Sequence, residues 1–525
     1  MSDIPIQTTL AEFGKAGWRA NTAHAVAVVA VLLLAAGLGL SGLAQRYDLQ
    51  AYDEGVYWET LRAMSAGQGL YSQIFLSQPP AFVLSIYPFY QLLGGTIAAA
   101  RLGLVVYALL GLVGAYLSGL QLSGRSGGLI ALLLAASAKL HLVVPRHLEA
   151  EGPANALLFL ALAAALWWWR HRHEARGLLL LGLAAVLVTV GSLIKLLDVT
   201  GFALLAFMLA TALIWDSRRS KTVLRIVAAA AVAAAATLLA AAVTLAPFAG
   251  AWPQLYQQAV QFHLDARHAY PLNLATNARI IVRHLIEPSA ALCALALVGL
   301  VAALWRRDPR GLFLGGWLVV SAVLLLNQTP LFPRHAVVLL PPLIALSALA
   351  IEHLAGLQSD ISQTRRARRG LLISAVLVAS ATISGFVEQA NFIASETQIS
   401  QRDQPVLASL AGDLSAKVRR DQWVITDQQL AAAIADRDTP PHLVDTSWVR
   451  IDSGFLTSRE LCAGVENPRT AAVLFSTWRL SSRRVAGFRG CLAQHFVLFR
   501  DYGQGNALWL RRDGRVGAAA AQNAG

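Results

Sequence analysis

The chain contains eleven apolar segments that are each long enough, or nearly so, to cross a lipid bilayer as an α-helix. Because a helix rises about 1.5 Å per residue, about 20 apolar residues cross the ~30 Å hydrocarbon core. Hydrophobic residues make up 56% of the 525 residues and charged residues only 14%. This composition excludes an ordinary soluble protein and is typical of a polytopic membrane protein. The segments are 25–44, 99–122, 127–144, 153–169, 177–197, 199–215, 226–247, 289–305, 311–326, 336–355 and 370–387.

The net charge of +13 indicates how the chain is oriented in the membrane and does not indicate a nucleic-acid partner. In a soluble protein so basic a chain would suggest nucleic acid, but here the basic residues cluster in short turns between apolar segments, as cytoplasmic turns do. We therefore expect no nucleic-acid partner, and a cytoplasmic N-terminus of residues 1–24. The basic turns contain Arg125, Arg170/Arg172/Arg176, Arg218/Arg219/Lys221/Arg225, Arg306/Arg307/Arg310 and Arg365/Arg366/Arg368/Arg369.

A further apolar stretch, residues 79–93, is short, and its periodicity alone does not say whether it spans. If it did span, the later basic turns would face outward, against the charge bias. We predict instead a helix that lies along or dips into the outer interface. The membrane domain is then 25–388, with outer loops 45–98 and 248–288, in the inner (plasma) membrane.

After residue 388 the composition changes to that of a soluble domain. Residues 389–515 alternate apolar strand-like segments (423–425, 443–444, 471–475, 496–499 and 507–510) with helical ones (407–418 and 428–435), which predicts a small exported α/β domain. Residues 516–525 are rich in Ala and Gly and are expected to be disordered. Cys462 and Cys491 could form a disulfide if this domain is exported.

Two adjacent carboxylates, Asp53 and Glu54, follow the first apolar segment on the predicted outer side. Charge so close to lipid needs water, a cation or a reacting group, so the pair is a candidate for general-base chemistry or for a divalent metal site. A solvated, helix-capping turn is the alternative. Glu149 and Glu151 add carboxylates in the second outer loop, with a solvated turn again the alternative.

Four cationic side chains are predicted on the same side. Arg101 begins the second apolar segment, and could snorkel or contact an anion. Lys195 lies between two segments; it could neutralise Asp198 or offer a point charge to a phosphate. Arg334 and His335 follow Pro-Leu-Phe-Pro and could anchor at the interface or contact a phosphate leaving group.

The predicted loop 248–288 contains a further polar group: His263, Asp265, Arg267, His268 and Tyr270. Its histidines have no recognised metal-binding spacing, so solvated surface is the favoured interpretation there.

In their order along the chain, these motifs resemble those of the GT-C membrane glycosyltransferases, especially the protein O-mannosyltransferase and lipid A aminoarabinose transferase type. The resemblance covers roughly residues 25–355. The motifs are Asp53-Glu54, Gln78-Pro79-Pro80, Arg101, Glu151 and Phe332-Pro333-Arg334-His335 before Pro341-Pro342.

The resemblance implies a GT-C fold that transfers a sugar from a polyprenyl-phosphate donor, with inversion, to a lipid, glycan or protein acceptor on the outer face. It implies that Asp53 acts as the catalytic base or as a carboxylate that orients the acceptor, with Glu54 and Glu151 assisting. It also implies that Arg101, Lys195, Arg334 and His335 lie near the donor phosphate. No cofactor is certain, and a divalent metal held by Asp53 and Glu54 is possible.

One position departs from the family pattern. Relatives often carry a Lys beside the proline of the interfacial helix, whereas this chain has Gln78 and no Lys between Arg62 and Lys139. The phosphate contact would then shift to Arg101 or Arg334.

Two other functions compete with this interpretation. A transporter or flippase of a lipid-linked sugar would share the intramembrane charges but predicts repeat symmetry, which the sequence does not show. A membrane scaffold would leave the clustering of ionisable residues on one face unexplained.

Overall fold

The computed structural model describes residues 6–217, 220–355 and 364–512, with side chains from residue 21 onward except at 220, 355 and 364–371. The predicted disordered tail 516–525 and the basic residues Arg218 and Arg219 lie outside the described residues. The helices are α1 (Ile6–Leu40), α2 (Tyr52–Ser65), α3 (Ala81–Leu92), α4 (Ile97–Ser137), α5 (Lys139–Val143), α6 (Glu151–His171), α7 (Arg176–Ile194), α8 (Thr200–Asp216), α9 (Ser220–Leu245), α10 (Trp252–Tyr256), α11 (Phe262–Ala269), α12 (Leu274–Ile281), α13 (Ala290–Trp305), α14 (Pro309–Leu326), α15 (Leu340–Ala355), α16 (Thr364–Lys417), α17 (Gln429–Ile434), α18 (Trp448–Asp452), α19 (Ser458–Glu466) and α20 (Phe488–His495).

Within the described residues, nine helices are long and apolar enough to span a bilayer, or ten if Leu274–Ile286 and Ala290–Trp305, which meet at a bend of 98°, form one broken span. One of the nine, α4, is itself two helices joined at the non-helical residues Ser123 and Gly124. When the broken pair is counted as one span and the two arms of α4 as two, the total is eleven, which is the number that the sequence predicts. The chain is a multi-pass membrane protein.

The two arms of α4 form a tight hairpin. Tyr116 contacts Gly128, and a Cβ on Gly119 would lie 2.3 Å from the carbonyl oxygen of Gly127. In a straight helix, residues 116 and 128 would be about 18 Å apart, so the chain reverses between them. Gly124 permits the reversal with a φ of +66°. Small residues allow this close helix contact, as in membrane helix pairs generally.

The outer segment after α1 is helical but does not cross the membrane. The apolar helix α3 has 12 residues, or about 18 Å, too short for the ~30 Å core. This length agrees with the predicted interfacial helix at 79–93. The segment 248–288, predicted as a long loop, is mostly helical: it contains α10, α11 and α12 and π-helical turns at Gln257–Gln261 and Val282–Ile286.

The last span and the C-terminal domain share one continuous helix. α16 has 54 residues and is about 80 Å long, so the predicted domain boundary at residue 388 falls inside a helix. The predicted helix 407–418 is the far end of α16.

Beyond α16, a four-stranded sheet forms the small α/β domain in the order β1-β2-β4-β3. β1 and β2 are parallel and the other pairs antiparallel. The strands are β1 (Trp423–Thr426), β2 (Thr470–Phe475), β3 (Phe496–Gly503) and β4 (Asn506–Arg511). The predicted strand at 443–444 is wrong: the chain forms a 3-10 turn at Pro441–Leu443, bonded locally instead of to the sheet. Cys462 and Cys491 form the predicted disulfide.

The helix α2 lies between the membrane domain and the C-terminal domain. One face of α2 packs against the C-terminal domain. It carries four residues at helical spacing: Tyr52, Gly55, Glu59 and Arg62. The Tyr52 hydroxyl accepts a hydrogen bond from the Thr446 N–H at 2.5 Å. A Cβ on Gly55 would lie only 2.6 Å from the backbone N of Leu430. α2 therefore cannot move away from the C-terminal domain without breaking this interface.

Because of Glu59, the stability of the fold that contains this interface depends on pH. One carboxylate oxygen accepts the N–H of Thr439 at 2.9 Å, and the other is buried without a hydrogen bond. Burial raises the pKa of Glu59 to about 8, against the opposing effect of Arg62. The folded protein then retains a proton that the unfolded chain loses near the ordinary value of 4.5. The free energy of unfolding consequently falls as the pH rises between these two values.

We predict that Glu59→Gln flattens the dependence of Tm on pH over this interval, because the group that binds the extra proton is gone. Thermal unfolding at about pH 5 and about pH 8 measures this. Glu466→Gln, which changes an exposed carboxylate of the same domain, is expected to leave the wild-type slope. Equal slopes for wild type and Glu59→Gln would contradict the prediction.

Candidate active site

A cavity of about 800 Å³ lies where one end of the bundle of membrane helices meets the C-terminal domain. Five of the seven site residues predicted from sequence line it: Asp53, Glu151, Lys195, Arg334 and His335. Residues of the C-terminal domain form another part of its wall: Asp445, Ser447, Trp448, Val449 and Arg479. The structure thus brings together residues that are more than 400 positions apart in the chain, such as Asp53 and Arg479.

Helix topology explains this convergence. α6 begins at Glu151, α7 ends just before Lys195, and the two helices are joined at their far ends by the turn that carries Arg170, Arg172 and Arg176. Glu151 and Lys195 therefore lie at the same end of the bundle, and this basic turn lies at the opposite end. The ion pair between Lys195 Nζ and Glu151 Oε1, 3.0 Å long, reflects this arrangement.

Arg334 is the centre of the charged cluster. Its guanidinium contacts the carboxylates of Asp53, Glu149 and Glu151, the last two at 3.2 Å. His335 Nε2 lies 3.4 Å from Glu151 Oε1. A guanidinium has five N–H donors in a plane, so it can hold several carboxylates in fixed positions.

Asp53 is the most accessible carboxylate of the cluster. Its side chain is 37% exposed, whereas that of Glu151 is 4% exposed. Its Oδ2 contacts Arg334, while Oδ1 makes no hydrogen bond to any other residue that the structure describes. Asp53 therefore presents one free oxygen atom to the cavity.

Glu149 is a carboxyl group of the cluster whose pKa is raised. It lies in the turn before α6, outside the membrane-spanning segments. Burial raises its pKa; Arg334 opposes this effect, while the neighbouring Glu151 and Asp53 add to it. The raised pKa reduces the negative charge that Arg334 and Lys195 must balance near neutral pH.

Lys195 is not neutralised by Asp198, the simpler alternative considered from sequence. Its ammonium pairs with Glu151. The Asp198 side chain is buried, and its Oδ2 has no hydrogen-bond partner among the described residues.

Glu54 and Arg101 do not line the cavity. Both are buried and form a two-pronged ion pair with N···O distances of 2.8 and 2.6 Å. The Leu148 N–H also donates to Glu54, and Arg101 donates to the carbonyl oxygens of Leu43 and Arg46. Their positions support a role in holding the fold, not the assisting and phosphate-binding roles that the resemblance implies.

Comparison with known proteins rests on structure. No family model matches the chain, and no curated protein sequence matches it significantly. ArnT from Cupriavidus metallidurans bound to undecaprenyl phosphate matches with a TM-score of 0.62 at 15% identity, over 93% of this chain and 98% of ArnT. Apo ArnT gives a TM-score of 0.64 with the same identity and coverage. The oligosaccharyltransferase AglB from Archaeoglobus fulgidus, in complex with an inhibitory peptide and a dolichol-phosphate, matches at 0.53 and 12% identity, over 94% of this chain and 75% of AglB.

Both neighbours are GT-C glycosyltransferases. The chain has the GT-C fold. This confirms the fold class predicted from the order of the sequence motifs. At these identities the match extends to the fold, and the chemistry of this GT-C protein must be argued from its own cavity.

The GT-C cavity includes two arginines that sequence reasoning did not select. Arg267, on α11, and Arg479, after β2, line the cavity, and neither forms an ion pair with a described residue. Arg267 was interpreted as solvated surface, and no local pattern distinguishes Arg479. Only the tertiary fold brings them to the site.

The donor set does not favour a shared metal ion at Asp53 and Glu54. The two carboxylates contact different arginines, Arg334 and Arg101. The described part of the chain has no group of three His, Cys, Asp or Glu side chains placed to hold a metal. We therefore assign no step of the chemistry to a metal at this pair.

We predict that Glu54→Gln destabilises the GT-C domain by about 3–5 kcal/mol, because it leaves the Arg101 charge buried without a counterion. Thermal unfolding in detergent measures the loss. Asp53→Asn, at the neighbouring and partly exposed position, is expected to keep a near-wild-type Tm. A Glu54→Gln protein as stable as wild type would contradict the structural role of this pair.

Proposed function

We propose that the chain is a membrane glycosyltransferase that moves a sugar from a polyprenyl-phosphate carrier to an acceptor hydroxyl, with Asp53 as the general base. The observation that carries the proposal is the cavity itself, which combines a partly exposed carboxylate, several fixed cations and an apolar rim. This combination suits a reaction between a lipid-linked phosphate ester and a polar acceptor.

The apolar rim suits the carrier lipid. Leu196, Leu264 and Phe332 line the cavity and are also 39%, 45% and 38% exposed. We assign these three residues to the membrane-facing side of the cavity, where the bilayer would cover them. An isoprenoid chain could leave the cavity between such residues without exposing its apolar surface to water.

The reaction is a single displacement with inversion at the anomeric carbon. Asp53 accepts the proton of the acceptor hydroxyl, whose oxygen forms a bond to the anomeric carbon. The bond between that carbon and the phosphate oxygen breaks, and its electron pair leaves with the polyprenyl phosphate. The free Oδ1 of Asp53 is the atom that would take the proton, since Oδ2 contacts Arg334.

Fixed positive charge would stabilise the phosphate as it leaves. Lys195, Arg334 and His335 are candidates, but Lys195 and Arg334 already contact carboxylates. Arg267 has no ion partner among the described residues, and it lies on α11 close to the exposed Leu264. We assign it the main phosphate contact, with Lys195 and Arg334 completing the positive field. Glu151 orients these two cations.

The cavity would face the extracytoplasmic side. It lies at the end of the bundle opposite the basic turn Arg170–Arg176, and cytoplasmic turns carry an excess of Arg and Lys. The Cys462–Cys491 disulfide supports the same side, because disulfides persist in oxidising compartments.

We predict that Asp53→Asn lowers sugar transfer by about 10²–10⁴-fold while insertion and Tm stay near wild type, because the amide cannot accept the proton. Purified protein in liposomes, supplied with a polyprenyl-phosphate sugar and a panel of hydroxyl acceptors, measures the rate. Asp501→Asn, on an exposed strand of the C-terminal domain, is the matched control and should retain full activity.

Transfer by Asp53→Asn at the wild-type rate would reject the general-base assignment. If wild type transported the lipid-linked sugar across the bilayer without transferring it, the flippase alternative would replace the transferase.

A further inference from the structure

Arg479 is a cation of the cavity that forms no direct ion pair with a carboxylate of the described residues, although its charge opposes the burial that raises the pKa of Asp427. Its guanidinium forms no hydrogen bond or ion pair with any residue in the described part of the chain, and its Nε atom is buried without a partner. Asp445, on the same wall, forms no ion pair with Arg479: its Oδ1 accepts the Ser447 N–H at 2.8 Å and the Tyr52 hydroxyl at 3.3 Å. A buried donor without a partner is costly, so this arrangement favours an anionic ligand.

Stacking holds the guanidinium in place. Its central carbon lies 3.9 Å from the centre of the Tyr52 ring. A guanidinium stacked by its face keeps its N–H donors in the plane, directed away from the ring, which is the arrangement that suits a carboxylate or phosphate. Because Tyr52 immediately precedes Asp53, an anion held by Arg479 lies beside the start of the helix that carries the proposed base.

The loop that carries Arg479 is built around a buried carboxylate. Asp427 accepts hydrogen bonds from the backbone N–H groups of Ser476, Thr477 and Leu480, at 2.7, 3.2 and 3.3 Å. Trp478 in this loop has a left-handed φ of 68°, which bulky side chains rarely adopt, and its side chain is 60% exposed. Such strain persists where the surrounding structure fixes it, and it is concentrated at functional sites.

Trp448 supplies an aromatic surface in the same cavity as Arg479. It begins α18, lines the cavity and is partly exposed. An exposed indole with a cation beside it can bind a sugar ring by its face and a charged substituent of that ring by the cation. Both residues belong to the C-terminal domain, whereas Leu196, Leu264 and Phe332 of the apolar rim belong to the membrane domain.

We propose that Arg479 and Trp448 form an acceptor subsite for an anionic saccharide. Arg479 binds the carboxylate or phosphate of the acceptor, Trp448 packs against its ring, and a hydroxyl of the same molecule reaches Asp53. This inference rests on the proposed transferase function and adds the class of acceptor. The donor phosphate would bind separately, at Arg267 near the apolar rim.

Binding without turnover tests this subsite. Full-length protein in nanodiscs is titrated with three soluble probes of matched length: an oligosaccharide with a uronic acid, one with a sugar phosphate, and a neutral one. We expect at least one charged probe to bind about tenfold or more tightly than the neutral probe, and Arg479→Gln to remove that preference. Arg483→Gln, which changes an exposed arginine of the same domain away from the cavity, should keep it. The charged probe that binds more tightly also shows whether the subsite recognises a carboxylate or a phosphate.

A second titration, with a short-chain polyprenyl phosphate, separates this inference from the function on which it rests. We expect Arg479→Gln to bind it as wild type does. If Arg479→Gln lost polyprenyl phosphate binding, Arg479 would be a donor contact and the acceptor subsite would be wrong. Equal binding of neutral and charged probes by wild type would also overturn the subsite. Failure of wild type to bind polyprenyl phosphate at all would count instead against the transferase.

Discussion

The buried ion pair between Glu54 and Arg101 fixes the rotation of α2, and the rest of the site depends on that rotation. Successive side chains on a helix point about 100° apart, so the residue beside Glu54 must face elsewhere. With Glu54 held against α4 by two hydrogen bonds, Asp53 turns toward Arg334 and the cavity. The cost of burying this charged pair is offset by hydrogen bonds from Leu148 to Glu54 and from Arg101 to two backbone carbonyls. The pair therefore acts on the chemistry only through geometry.

The same rotation makes α2 the connection between the two parts of the protein. One stripe of the helix packs on the membrane domain, a second faces the cavity, and a third, which includes Tyr52 and Gly55, is held by the C-terminal domain. The C-terminal domain is thus part of the active-site wall and not an appendage. Because α16 runs without interruption from the last span into this domain, the wall is also tied to the membrane helices.

The sequence predicted the parts of the structure that depend on local pattern. The lengths of the apolar segments predicted the spans, and the charge bias of the turns predicted that α3 does not span. The short apolar segments after residue 388 predicted all four strands of the C-terminal sheet. It failed where local pattern and tertiary context differ. The apolar pair Leu443-Val444 looks like a strand but lies in and after a 3-10 turn, and in the segment 248–288 the sequence left helix or loop open where the structure is mostly helical.

Tertiary context also determined which charged residues reach the cavity. Asp53 and Glu54 were predicted to act together, as base and helper or as ligands of one metal, although neighbouring positions on a helix do not face the same partner. Arg267 and Arg479 could not be selected, because an unpaired arginine in the cavity and one on the surface have the same local sequence signal. Lys195 and Arg334 were selected because they lie on the predicted outer side, away from the basic cytoplasmic turns, and because the GT-C resemblance implies cations near the donor phosphate.

The most direct test of this account is mass spectrometry of the lipid that remains bound when the wild-type protein is purified in mild detergent. The account predicts a bound polyprenyl phosphate, with or without its sugar, that is depleted in an Arg267→Gln protein of normal Tm. Only bulk phospholipid in both samples would contradict the claim that this cavity receives an isoprenoid-linked sugar.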